Sequence, residues 1–158
     1  MTEPPDNQTS RDPFNLARFI RAQEEIYAQA LAEVRSGQKE SHWMWFIFPQ
    51  IDGLGSSHTA RRYAITNGEE ARAYLDHPVL GGRLLECSEA LLNVSGRSAS
   101  QIFGSPDDLK LRSCMTLFAR VASPGSIFER VLAKYFAGQP DQRTLELLKE
   151  RTPRGCGG

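Results

Sequence analysis

Apolar residues recur at three- and four-residue intervals along nearly all of this chain, and helix start and stop residues bracket almost every run. Leu16, Phe19, Ile20, Gln23, Ile26, Tyr27, Ala30, Leu31 and Val34 share one face of an α-helix. Asp12-Pro13 reads as its start, because Asp accepts from first-turn amides and Pro lacks the donor that would be orphaned there. Gly37 supplies the stop. A helix over 13–36 would be about 36 Å long.

The same punctuation recurs downstream. Thr66-x-x-Glu69 and Ser98-x-x-Gln101 have capping-box spacing. Asp76-His77-Pro78 closes one helix, and Leu80, Leu84, Cys87, Leu91 and Val94 carry the next toward Gly96. "SPDD" at 105–108 offers Ser105 as N-cap, Pro106 at N1 and two carboxylates for the positive end of the helix dipole. "SPG" at 123–125 breaks that helix. Ile127, Val131, Leu132, Tyr135 and Phe136 build another before Gly138, and Pro140-Asp141 opens the last, with Leu145 and Leu148 inward. Alternation at period two is nowhere sustained. The fold expected is all-α, with seven or eight helices in one domain over 12–150. Residues 1–11 and the Gly-rich 151–158 read as flexible tails.

Composition removes several classes of function. Lys+Arg and Asp+Glu each number 19, so the chain lacks the basic excess of a nucleic-acid binder. Cys87, Cys114 and Cys156 form no CxxC or CxxH pattern, which argues against a zinc site or a disulfide framework. No metal or cofactor is expected, and Cys156 reads as an exposed thiol. No apolar stretch approaches the ~18 residues of a membrane span, and the first residues lack the apolar core of a secretory signal. A soluble cytoplasmic protein is the expectation; oligomeric state is not legible.

"SHWMWFIFPQ", residues 41–50, is the densest apolar segment. It is too short for periodicity to separate helix from strand. In a helical chain it reads as a short buried helix with Ser41 as N-cap and Pro49 near its end. Full burial of Trp43, Trp45, Phe46 and Phe48 would contribute roughly 15–25 kcal/mol of gross hydrophobic free energy. Core packing accounts for that composition by itself. The competing reading makes the run a pocket wall, because His42 and Gln50 flank it and "GLGSSHTARRY" follows. Gly53 and Gly55, the caps Ser56 and Ser57, and Arg61 and Arg62 one turn later could present amides and guanidinium groups to an anion. The spacing matches neither a phosphate-binding P-loop nor a dinucleotide fingerprint.

The remaining polar cluster is Asp107, Asp108, Lys110 and Arg112. It reads as a solvated helix end, or as a pocket edge where Lys110 is a cation and Asp107 or Asp108 its partner. His58 reads as a surface residue and His77 as a turn residue.

The segments "DPFNLARFIRAQ", "SHWMWFIFPQIDGLGSS", "ARRYAI", "AYLDHPVLGGRL", "IFGSPDDLKLRSCMTLFA" and "LAKYFAGQ" closely resemble a bacterial family catalogued as domain of unknown function 1810. The resemblance runs over about residues 12–149, with Ser41 departing from an expected Gly. It implies a compact helical fold with one central helix surrounded by others, and no established activity.

Two functions are therefore carried forward. One is a pocket for a small phosphorylated, nucleotide-like ligand, lined by Trp43, Trp45, Gln50, Gly53, Gly55, Ser56, Ser57, Arg61 and Arg62. If it does chemistry, His42, Asp107 and Lys110 are the acid–base candidates, for hydrolysis or glycosidic cleavage. The other is a non-catalytic protein–protein interaction module with an exposed apolar face.

Overall fold

The computed structural model describes residues 12–151; the two segments read as tails, with Cys156, lie outside these apart from Arg151. Asp12 does cap the start of the first helix, but from farther back than the spacing predicts. Its carboxylate accepts from the amides of Leu16 at 2.6 Å and Ala17 at 3.0 Å. Asn15 between them is left-handed (φ 54°), so the chain turns once before α1 begins at Ala17.

Ten helices follow among the described residues: α1 (Ala17–Gln23), α2 (Tyr27–Ser36), α3 (Met44–Ile47), α4 (His58–Arg62), α5 (Gly68–Asp76), α6 (Leu80–Asn93), α7 (Ala99–Phe103), α8 (Asp107–Val121), α9 (Ile127–Phe136) and α10 (Gln142–Glu150). None of the described residues forms a strand; Ile51 and Ile65 make one isolated parallel bridge.

The expected 13–36 helix is two helices. Its stripe serves two partners: α1 packs on α3, and α2 packs on α6. Gln23 at the break is fully buried and is paid for by three bonds. Its amide donates to the Phe46 carbonyl at 2.7 Å and the Tyr74 hydroxyl at 3.1 Å, and its oxygen accepts from Arg83 at 3.1 Å. Gly37 ends α2 in the left-handed conformation as expected, with Gln38 N–H returning to the Glu33 carbonyl.

Caps behave as sequence chemistry dictates, with shifts of one residue. Ser98 and Gln101 form the expected capping box on α7. At α5 the cap is Asn67, not Thr66. Asn67 accepts from Glu70 N–H, and Glu70 reaches back to the Thr66 amide at 2.8 Å. Glu70 rather than Glu69 takes that role because it is the buried one, ion-paired with Arg18 at 2.9 Å. Pro106, not Ser105, occupies the N-cap position of α8 and has no side-chain acceptor to offer. His77 is more than a turn residue: its Nδ1 accepts from the amides of Val79 and Leu80 at the start of α6.

The fifteen-residue α8 is the central helix. Leu111 and every residue from Ser113 to Phe118 are buried, so it is covered all round by α5, α7, α9 and α10. Its two buried hydroxyls, Ser113 and Thr116, donate to carbonyls four residues back, which removes their desolvation penalty. In α10 the inward residues are Leu147 and Leu148 with Thr144, while Leu145 is only half-buried. Aromatic contacts Phe19–Tyr74, Tyr74–Phe118 and Phe118–Phe128 tie the core together across α1, α5, α8 and α9.

Candidate functional site

The 38–57 segment and the N-terminal end of α8 face each other, and one buried carboxylate organises the first of them. Glu33, on α2, turns inward with no cation among the described residues paired to it. Its Oε1 accepts from the amides of Glu40 (2.8 Å) and Ser41 (3.0 Å) and from the Trp43 indole N–H (2.9 Å). Its Oε2 accepts from the Ser41 hydroxyl (2.7 Å) and the Gln29 amide (3.0 Å). Burial raises the Glu33 pKa, but the donors from Glu40, Ser41 and Gln29 outweigh it and bring the carboxyl down to about 2. Ser41 is thereby a ligand of Glu33 and not the cap of α3, whose N-cap position is Trp43.

The clamp aims Lys39 back across the segment. The Lys39 ammonium donates to the Ser41 carbonyl at 2.6 Å, pairs with Asp107 at 2.9 Å and lies 5.0 Å from the centre of the Trp43 ring system. Lys110, one turn into α8, pairs with the other Asp107 oxygen at 3.0 Å and sits 4.1 Å over Trp45. These side chains are 7%, 19% and 21% exposed for Lys39, Asp107 and Lys110. Burial pushes the Asp107 pKa up, yet the hydrogen bonds from Lys39 and Lys110 hold it below the ordinary carboxylate value. Two ammonium groups share one carboxylate, so the triad carries a formal charge of +1.

The aromatic run divides between core and surface. Trp43 and Phe48 are fully buried, with Phe103 packed edge-on against both. Trp45 and Phe46 are only half-buried, so the run is not covered on every side. Trp43 therefore packs the core. Trp45 is the wall residue: the Lys110 ammonium lies over its ring, and Gly55 abuts the six-membered end. A Cβ at Gly55 would come 3.1 Å from that ring and 2.7 Å from the Ala60 methyl, a space that admits only glycine.

Behind Trp45 lies a narrow cavity of about 10 Å³. Trp45, Gln50, Gly53 and Gly55 line it, together with Leu54, Ala60 and Tyr63. Ser56, Ser57, Arg61, Arg62 and His42 do not. Ser57 caps α4 through Ala60 N–H. Arg61 donates twice to the Ser56 carbonyl and locks the turn upon itself. The Arg62 guanidinium lies 5.7 Å from the Tyr63 ring centre. His42 and His58 are exposed. Arg112 belongs elsewhere, binding the carbonyls of Gln139 and Pro140. Asp108 accepts from the Leu109 amide beside it. The structure thus joins Asp107, Lys110 and Trp45 in one cluster, and places Gln50, Gly53 and Gly55 around the cavity behind Trp45.

Glu33 and Lys39 are the residues that sequence reasoning missed. Glu33 gives no signal, since a lone acid on an amphipathic helix reads as solvated. Lys39 was accessible: Gly37 ends α2, and a cation two residues later, just ahead of an aromatic run, has a ring to lean on. Among the described residues no group of His, Cys, Asp and Glu is arranged to hold a metal ion. Nor is any described helix long and apolar enough to cross a membrane.

A family model described as "Protein of unknown function (DUF1810)" matches residues 13–148. Among proteins with curated descriptions, none matches this chain. The chain is similar to the crystal structure of a conserved hypothetical protein from Mycobacterium tuberculosis. They share 54% identity over 87% of this chain and 99% of that one, with a TM-score of 0.86.

Proposed function

Because this chain belongs to the DUF1810 family, whose description carries no activity, we propose from its own site that it binds a small phosphate-bearing, nucleotide-like anion beside Trp45. One observation carries the reading: Lys39 and Lys110 converge on the single carboxylate of Asp107, leaving one positive charge uncompensated in a partly buried place. The Ser41 carbonyl and the faces of Trp43 and Trp45 take up part of that charge, but among the described residues neither lysine pairs with a second carboxylate. A second ammonium adds repulsion and desolvation that one carboxylate offsets only in part. An incoming phosphate would balance the excess with charge-assisted hydrogen bonds. The partly exposed ring of Trp45 gives a flat group something to lie against.

The interaction-module reading lacks comparable support. The large apolar side chains that stand exposed among the described residues are Val79, Leu85 and Leu109. Val79 and Leu85 are six positions apart at the start of α6, about 240° around its axis, so they share no face. Leu109 belongs to a different helix.

A thermal-shift screen against nucleotides, phosphorylated metabolites and ADP-ribose derivatives tests the proposal. A ligand at about 100 times its Kd stabilises by about 2.7 kcal/mol, or roughly 5–10 °C for a chain of this size. Lys110→Ala should abolish that shift. A wild type that responds to no phosphorylated compound, or a response that Lys110→Ala leaves intact, would overturn the reading.

A further inference from the structure

Gln50 is only 6% exposed, and its Nε2 finds no acceptor among the described residues. Native folds pair buried amides almost without exception, because an unmet donor retains its full desolvation cost. The residue lines the narrow cavity behind Trp45, whose roughly 10 Å³ accommodates about one non-hydrogen atom. The roof is Gly53, Leu54 and Gly55. Among the described residues none of the amides of 53–55 donates a hydrogen bond, whereas Asp52 just before them is held firmly to the Ile65 carbonyl at 2.8 Å. Residues 53–55 can lift from that anchored edge while Ser56 and Ser57 stay held through their carbonyls by Arg61.

Trp45 is shared between this cavity and the lysine pair, since Lys110 lies over the same ring. No charged side chain lines the cavity, and Leu54, Ala60 and Tyr63 form much of its wall. An anionic oxygen there would be buried without compensation, so the atom it receives is neutral. We infer that Gln50 Nε2 donates to a neutral acceptor of the ligand, a carbonyl oxygen or unprotonated ring nitrogen such as nucleobase edges carry, admitted as residues 53–55 lift. The inference rests on the anion-binding reading above and adds the substrate class: the phosphate goes to the lysines and the base edge to Gln50.

The test uses three probes, uridine monophosphate, adenosine monophosphate and ribose 5-phosphate, on the wild type, Gln50→Met and Lys110→Ala. Wild type should be stabilised more by a base-bearing probe than by ribose 5-phosphate. Gln50→Met should reduce that probe to the ribose 5-phosphate level, with a Kd at least about tenfold weaker, while Lys110→Ala loses all three responses. The unliganded variant supplies an independent readout. Replacing an unpaired buried amide with a thioether of similar shape should leave Tm unchanged or raise it by about 2–4 °C. A clearly lower Tm for Gln50→Met would show the amide to be structurally paired and would overturn the inference. Equal wild-type shifts with and without a base, or a base preference that survives in Gln50→Met, would overturn it too while leaving the lysine site standing. If no probe shifts the wild type, the anion-binding reading falls and this inference falls with it.

Discussion

Replacing Glu33 with Gln should weaken the fold at neutral pH and flatten its response to acid. The wild-type carboxylate takes five donors: the amides of Glu40 and Ser41, the Trp43 indole, the Ser41 hydroxyl and the Gln29 amide. A glutamine keeps one oxygen for the three donors on Oε1. Its new NH2 meets Ser41 and Gln29, which can rotate and flip to accept. The shape survives and the charge is lost, at a cost of about 2–3 kcal/mol near pH 7. The pKa predicts the same scale. Glu33 is lowered from 4.5 to about 2 in the folded protein. The unfolded chain therefore binds more protons between these values, so stability is present in full above pH 4.5 and is lost as pH falls through 2. At about 1.36 kcal/mol per unit, the linkage amounts to roughly 3.4 kcal/mol at pH 7, of which about 2 kcal/mol is gone by pH 3. Urea unfolding of both proteins at pH 7 and pH 3 measures this. The gap between wild type and Glu33→Gln should close by about 2 kcal/mol across that range. A gap that stays constant, or a variant as stable as wild type at pH 7, would refute the claim that a buried, amide-solvated carboxylate holds residues 39–43.

The two tryptophans should separate. Trp43→Ala removes a fully buried ring, its bond to Glu33 and its packing on Phe48 and Phe103, and should cost about 3–5 kcal/mol in denaturant unfolding. Trp45→Ala loses partial burial and the Lys110 contact, about 1–2 kcal/mol, and equal costs would contradict this division. The thiols of Cys87 and Cys114 are buried; burial pushes Cys87 up to about 12 and raises Cys114 well above its ordinary value. Neither should be alkylated by iodoacetamide at pH 8 in the native state, while both react in denaturant; native labelling at the denatured rate would count against the burial described.

Local chemistry alone made the helical class legible: 3.6-residue spacing, Gly37, the Ser98–Gln101 box and Asp141 ahead of α10 each act within one turn of chain. The same local signals located Asp107 and Lys110 together, because three residues on a helix are neighbours whatever surrounds them. What they left open was every choice made by a distant partner. The first helix breaks after Gln23 because α3 and α6 compete for its stripe, a fact about packing that periodicity does not contain. Which of Glu69 and Glu70 turns back depended on Arg18, more than fifty positions away. Trp43 and Trp45 are identical in sequence terms and two residues apart, yet one meets Glu33 and Phe103 while the other meets Lys110 and solvent. Short-range free energies are written residue by residue and can be read from the sequence. The second lysine on Asp107 and the orphaned amide of Gln50 exist only once the chain has closed, since they depend on which surfaces the tertiary structure brings together.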